Sequence, residues 1–452
     1  MLVFTSLLLL GSAGAFVRPV PRRPQLSLSA QRHEDSSDVV VVGSGLGGLC
    51  AAATLANYGY AVTVLEAHSS PGGAAHGFKA KAKGVDGDFV FDTGPSFFSG
   101  LSGASGGGGV NPLRDLLDSL GLSVPCHTYD SFGLVLPEGT FTHTTAFRET
   151  VLAPVGGFKE VEAWDALESM MRPLAAAVKA LPAVALRTDL GIALTASRFL
   201  PGFGKIAALP EAPLPWTLGS TMTSDFGSLL DRAGLKRGMF GRNWLDLLCF
   251  CLSGLPADGT ITAEMAMMMG EFYRPEAVMD YPMGGVSAIV DTLVEFIESK
   301  PGCQVRCNSK VSSFVRDGNS GRVEGALLAS GSTEKGKVVI RASRGVISNV
   351  GTWRTQELLQ GGGESSRTVE ARWSAKQEAT PPCASFMHLH LGLSTAGMSP
   401  KDIAALQCHY MVTGYHCLGF SCLVAVLSSH ILIPFTVICC EHIGPGRMES
   451  RR

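Results

Sequence analysis

The residues best suited to chemistry lie between Asp38 and Gly94. Gly43-Ser44-Gly45-Leu46-Gly47-Gly48 spaces its glycines as G-x-G-x-x-G. The turn follows the apolar, β-branched run Val39–Val42, which reads as a buried parallel strand, and precedes the apolar helical pattern Leu49–Ala56. In such a turn Gly43 permits the tight bend, Gly45 lets the backbone approach a pyrophosphate, and Gly48 lets helix and strand pack closely. The unpaired N–H groups at the helix start would receive the diphosphate. A second strand, Ala61–Leu65, ends at Glu66, 18 positions after Gly48. A carboxylate there would accept hydrogen bonds from a ribose hydroxyl pair and disfavour a 2′-phosphate. Glycine-rich turns alone are common, but strand, glycines, helix, strand and terminal acid together specify a dinucleotide site.

Beyond Glu66 come Ser70-Pro71-Gly72-Gly73-Ala74 and then Phe89-Val90-Phe91-Asp92-Thr93-Gly94-Pro95. A glycine pair just after the ribose acid resembles the flavin-binding proteins of the glutathione-reductase type, in which this loop runs along the ribityl and diphosphate groups. FAD is therefore expected rather than NAD, the alternative being a glycine-rich surface turn. Two other pairs have spacings that could do chemistry. Glu264 and Glu271 are seven apart, on one face of a helix, and could hold a developing cation or deliver a proton, although helix glutamates are more often solvated. His388 and His390 alternate on a strand and share a face, yet no third ligand is evident, so core or pocket histidines are expected rather than a metal site. No catalytic residue is assigned.

Composition sets further bounds. The chain has 452 residues, 46% of them hydrophobic and 17% charged, with mean hydropathy +0.22. This is apolar for a soluble enzyme and points to a large buried pocket, a membrane-facing surface, or both. A formal charge of −2 gives nucleic-acid binding no electrostatic support. The 12 cysteines form no pair of CxxC units, so zinc is not expected. Cys303 and Cys307 bracket a strand and Cys249 and Cys251 lie in an apolar helix, as small core residues in a reducing compartment.

Several elements must position these residues. Pro112–Leu120 is helical, Phe132–Phe147 alternates around the turn at Pro137-Glu138-Gly139, and Val161–Leu181 is a long helix. Apolar segments at 191–209, 228–235, 243–252 and 262–273 follow, suiting either a lid that touches lipid or a helical core. An amphipathic helix spans Val286–Ile297, with Ile289, Val290, Leu293 and Ile297 on one face. Strands are expected at 304–307, 310–315, 323–328, 338–341 and 345–349, with a hairpin turn at Arg316-Asp317-Gly318-Asn319. At the N-terminus, Leu2–Leu10 with Ala13-Gly14-Ala15 fits a signal h-region and cleavage site. The following basic, acid-poor stretch to Arg32 has transit-peptide composition. Together they resemble the bipartite leaders of algae with secondary plastids, ordinary secretion being the alternative.

Taken together, Val42-Gly43-Ser44-Gly45-Leu46-Gly47-Gly48, Pro71-Gly72-Gly73, Phe91-Asp92-Thr93-Gly94-Pro95-Ser96, Tyr281-Pro282-Met283-Gly284-Gly285 and Val346-Ile347-Ser348-Asn349 resemble the carotenoid isomerase and phytoene desaturase family of FAD proteins. The likeness is to the carotenoid-isomerase-like branch of plants and algae, where the runs Asn243–Leu248 and Ser385–Gly392 are also familiar. It covers roughly 38–412. It implies an α/β fold: a Rossmann-type FAD-binding domain of the glutathione-reductase type with an α+β substrate domain inserted, and monotopic contact with the plastid membrane. It implies cis-trans isomerisation of a long polyene, or its desaturation or saturation. A non-catalytic, membrane-anchored remnant of the flavin fold is a rival from another class. The cofactor-binding positions carried over are Gly43, Ser44, Gly45, Gly47, Gly48, Glu66, Gly72 and Gly73, with Val311 matching a strand residue whose backbone meets adenine. The division that follows is 1–37 leader, 38–100 first FAD part, 101–275 mainly helical substrate part, 276–352 second FAD part, 353–413 second substrate part and 414–452 an atypical apolar tail. The likeness stops after Val412, where the family continues into a glycine-rich segment that closes over the flavin. The C-terminal part is therefore expected to be truncated. Leu418–Cys440 then reads as translated intron or frameshifted sequence, the alternative being a transmembrane helix.

Overall fold

The computed structural model describes residues 36–81, 88–94, 98–102, 111–180, 220–273, 277, 279–329, 338–360, 367–380, 386–393, 399, 409–414, 421–426 and 433–440. The leader at 1–35, the 191–209 segment, Pro95-Ser96 and most of the glycine-rich 99–109 stretch lie outside these residues.

Strands β1 (Ser36–Val42) and β2 (Val62–Leu65) pair in parallel. Their valines are buried on both faces, as expected for a strand covered on each side. With β10 (Gln304–Arg306), β11 (Val311–Arg316), β12 (Val323–Leu328) and β13 (Val339–Ser348) they form one sheet of order β10-β2-β1-β13-β12-β11. The four strands β10, β2, β1 and β13 are parallel, and β12 and β11 extend the sheet as an antiparallel hairpin. The sequence suggests two strands at 338–349, but one continuous strand forms there. Only its N-terminal half, Val339–Arg341, pairs with β12, while Gly345–Ser348 pairs with β1 alone.

Helix α1 (Leu46–Asn57) and the Ser287–Glu298 helix cover one face of the sheet. They bury Leu49, Ala52, Ala53 and Ala56 against Ile289, Val290, Leu293 and Ile297. The small alanine surface of α1 lets the two helices approach closely and lets α1 lie on the valines of β1 and β2. The other face carries Val40, Val42, Phe314, Ile340 and Leu358.

The chain leaves this unit after the hairpin of β3 (Gly77–Ala80) and β4 (Phe89–Asp92). It builds a second core and returns through β9 (Met279–Pro282), which pairs with β5 (Phe98–Ser99) and β6 (Cys126–Tyr129). The second core joins the hairpin β7 (Phe132–Leu136) and β8 (Gly139–His143) to helices at Ala153–Ala180, Phe226–Ala233, Phe240–Ser253 and Thr262–Phe272. The first of these breaks at Gly157, whose φ is +72°.

Beyond Val412 the described chain forms β15 (His409–Gly414), β16 (Ser421–Val426) and β17 (Ile433–Cys440), not a transmembrane helix. Its run of Val424, Val426, Ile433, Thr436, Val437 and Ile438 favours extended backbone, and Pro434 would interrupt a helix. Among the described residues no helix is long and apolar enough to cross a membrane.

Candidate functional site

The glycine turn sits where β1 ends between its two neighbours. Gly43 N–H donates to the Leu65 carbonyl (2.8 Å) on one side, and Asn349 N–H donates to the Val42 carbonyl (2.8 Å) on the other. Gly43 has φ +95°, a conformation that favours glycine. A Cβ on Gly48 would lie 2.2 Å from the Gly43 carbonyl oxygen, so only glycine allows the helix to start this close to the strand.

Helix α1 then begins with no side-chain cap on Gly45 and no acid in its first turn. By contrast, helix α2 (Pro112–Leu120) has its first N–H groups taken by the Asn111 side chain. The start of α1 thus offers N–H groups and a positive dipole end with no acid in its own first turn.

Glu66 is tied directly to this turn. Ser44 donates to its Oε2 from both the backbone N–H (2.9 Å) and the hydroxyl (2.5 Å), and His68 N–H donates to Oε1 (2.8 Å). Burial pushes the Glu66 carboxyl up, but hydrogen bonds from Ser44, His68 and Ala67 outweigh it and hold the group below its ordinary value. Glu66 is therefore an anion at neutral pH.

Ser44 also receives the next loop, because Gly72 N–H points at both its carbonyl and its Oγ (3.1 Å each). Gly45 and Gly72 form a short parallel bridge, and Gly73 lies close enough that a Cβ there would be 3.0 Å from Gly45 Cα. Gly43, Ser44, Gly45, Gly47, Gly48, Glu66, Gly72 and Gly73 are thus brought together.

Val311 opens the strand reached just after Asn308 and Ser309. Those two residues donate to the His68 and Glu66 carbonyls (2.9 and 2.6 Å). The Val311 carbonyl accepts from Arg354 Nη2 (3.3 Å). One residue of the cradle went unassigned from the sequence. The Asn349 side chain lies beneath the turn, its Nδ2 near the Gly43 and Gly45 carbonyls (3.5 and 3.4 Å). A polar residue closing the apolar run Gly345–Ser348 was the available signal.

The other sequence candidates are not gathered here. Glu264 and Glu271 both lie on the Thr262–Phe272 helix of the second core. Glu271 is buried, and Glu264 is half-buried with its carboxyl raised by burial. His388 and His390 fall at alternate positions of β14 (Phe386–Leu393), opposite Ile438 and Thr436 of β17.

In the second core a cavity of about 460 Å³ lies between the Ala153–Ala180 and Thr262–Phe272 helices. Its walls include Trp164, Leu167, Met171, Met269 and Tyr273, with Arg148 at the rim. Beside it His143 is buried among Phe132, Phe147, Trp244, Phe272 and Tyr273. Burial lowers its imidazole to about 3, which keeps it neutral. A polar crevice of about 570 Å³ opens at the far, N-terminal end of β1. Its Arg341 is paired with Glu324 and its Arg322 donates to the Arg344 carbonyl. In open parallel sheets ligands bind at the opposite, carboxyl ends of the strands.

A parallel sheet, an uncapped glycine turn and an acid at the end of the second strand define a dinucleotide-binding Rossmann-type fold. Residues 41–119 match the NAD(P)-binding Rossmann-like domain. The chloroplastic prolycopene isomerase of Arabidopsis thaliana is 26% identical over 400 residues, which cover 84% of this chain and 57% of that protein. An all-trans-retinol 13,14-reductase of Danio rerio is 40% identical over 91 residues, 20% of this chain and 13% of that one. Among solved structures, putrescine oxidase shares the fold, with a TM-score of 0.53 at 16% identity over 90% of this chain and 76% of that chain. The chain fits the carotenoid isomerase and desaturase-like family, whose cofactor is FAD. It spans about half the length of the curated relatives it matches.

Proposed function

We propose that this chain is an FAD-dependent enzyme of a long polyene, and that its reaction is the cis-to-trans isomerisation of a carotenoid. The observation that carries the reading is the glycine turn locked onto Glu66 through Ser44. Likeness to prolycopene isomerases over 84% of the chain supports it.

In this reading residues 38–100 and 276–352 hold the cofactor. The start of α1 at Gly45, Gly47 and Gly48 receives the diphosphate, Glu66 the ribose, Gly72 and Gly73 the ribityl side, and the backbone of Val311 the adenine. Gly43 and Ser44 shape the turn. FAD, when bound, supplies a redox-active ring that can exchange electrons with a conjugated system. Glu66, already held as an anion by Ser44 and His68, orients the ribose without rearranging.

The substrate belongs to 101–275 and 353–413, where walls such as Trp164, Met171 and Met269 suit a hydrocarbon. An isomerisation loses no atoms and asks the protein chiefly to hold the two halves of the chain in register. Apolar helices of this part would meet a plastid membrane surface, and residues 1–37 would deliver the protein there, in keeping with the chloroplastic relatives.

Anaerobic incubation with a poly-cis carotene and reduced flavin tests the reaction. The expected product absorbs as the all-trans polyene at unchanged mass, and unchanged substrate overturns the isomerase. The stretch shared with a retinol 13,14-reductase favours one second reading, desaturation or saturation of a polyene. A product two hydrogens lighter or heavier, dependent on an electron acceptor or donor, would establish that instead.

A further inference from the structure

Asp92 ends β4 and is buried, with 6% of its surface exposed. Its Oδ1 accepts from the Val286 N–H (2.8 Å), the residue that opens the Ser287–Glu298 helix 194 positions later. The Tyr281 hydroxyl donates to the same carboxylate. A Cβ on Gly285 would lie 2.5 Å from Oδ1, so Gly285 is what allows the helix start to come this close.

Val290 of that helix in turn packs on the candidate cofactor loop, because a Cβ on Gly72 would lie 2.9 Å from Val290 Cγ2. The hairpin carrying Asp92 is fastened to the same loop. Thr93 donates to the His76 carbonyl from both its N–H (3.0 Å) and its Oγ1 (2.6 Å), and His76 Nδ1 lies 2.6 Å from the Gly73 carbonyl. The return strand is anchored by a second carboxylate. Asp280 of β9, fully buried, accepts from Ser102 N–H and Oγ and from Thr128 Oγ1.

We infer that Asp92 is a positioning residue for the flavin: by capping the Ser287–Glu298 helix it sets the register of Val290, and through it the Gly72-Gly73 loop. This inference rests on the FAD reading above. Burial raises the Asp92 carboxyl to about 6, against hydrogen bonds from Val286 and Tyr281 that lower it. The groups facing it are the Tyr281 hydroxyl and the Val286 N–H. An ionised carboxylate accepts both bonds in charge-assisted form, and protonation weakens them.

The test is FAD affinity of the 452-residue chain, followed by quenching of flavin fluorescence between pH 5 and 8, for the wild type, Asp92→Asn and Tyr281→Phe. Loss of a helix cap predicts roughly fivefold weaker FAD binding for Asp92→Asn at pH 7.5, and a flat pH profile. The wild type should lose affinity below pH 6. Tyr281→Phe, which removes one donor and should push the carboxyl higher, is expected to move that step to higher pH. A merely structural role would leave the step in place, so Tyr281→Phe keeps the inference testable if Asp92→Asn fails to fold. Wild-type and Asp92→Asn proteins with equal affinity and the same profile, or a Tyr281→Phe step that does not move, would overturn it. A wild type that binds no FAD at any pH would overturn the flavin reading itself.

Discussion

The two cores of this protein are held together by different means. In the nucleotide part the decisive contacts are made by backbone and by glycines. Gly43, Gly48, Gly72 and Gly73 place main chain against main chain, and one carboxylate, Glu66, closes the arrangement. In the second core the decisive contacts are made by charged side chains that tie neighbouring helices and turns together. Arg242, 1% exposed, donates to Asp231 (3.2 Å), Asp246 (3.2 Å) and Asp258 (2.7 Å) and to the Gly227 carbonyl. Glu160 accepts from the Phe240 and Gly241 N–H groups (3.0 and 2.6 Å), capping the Phe240–Ser253 helix. Backbone-built sites demand particular residues at fixed local spacing, whereas side-chain-built cores demand only compatible partners that the fold brings together.

That contrast can be broken by substitution. Arg242→Ala leaves three acids facing an empty buried site. Asp231 and Asp258 are half-exposed and screened by solvent, so the second core should lose about 2 kcal/mol, read by urea unfolding through Trp164 and Trp244 fluorescence. Unfolding within 1 kcal/mol of the wild type, as an approximate bound, would mean that the cluster behaves as a surface ion pair.

Gly48→Ala tests the other side. With a Cβ 2.2 Å from the Gly43 oxygen, the strand and helix must separate, and FAD affinity should fall roughly 100-fold. The Trp164 and Trp244 unfolding midpoint should stay put. Loss of both readouts together would show that the two cores are one cooperative unit.

Acid gives the most discriminating effect, because the two parts carry buried groups shifted in opposite senses. His143 is lowered to about 3 from 6.5. The unfolded chain therefore binds more protons than the folded one between those values, and the stability of the second core falls as pH drops through that window. Asp92 is raised from 3.8 to about 6. Its contribution is fully present below 3.8 and is lost as pH rises through 6, so it favours the folded nucleotide part in acid. His143→Phe should flatten the acid loss seen by tryptophan fluorescence, since the site is already lined by Phe132, Phe147 and Phe272. An unchanged acid slope would place the titrating group elsewhere.

The same contrast explains what could be read from the chain. The β1–turn–α1–β2 unit and Glu66 were legible because the strand period, the glycine spacing and the terminal acid are all local. The amphipathic Ser287–Glu298 helix was legible for the same reason. Asn349 was not, because its role exists only once β13 lies beside β1. Arg242 was not singled out, because two of its three acids, Asp231 on the Phe226–Ala233 helix and Asp258 beyond its own helix, meet it only in the folded chain. His143 sits on a short strand whose aromatic neighbours come from four separate segments. For the apolar tail, the transmembrane-helix alternative gives way to strands β16 and β17, which hydropathy alone does not separate from a spanning helix.

The central claim is that the locked glycine turn is an FAD site. Titrating the purified 452-residue chain with FAD, with NADPH as competitor, tests it most directly. Saturable binding of one FAD per chain, undisturbed by NADPH and lost in Gly48→Ala, is the predicted result. A chain that takes up no flavin, or that yields its flavin to NADPH, would contradict it.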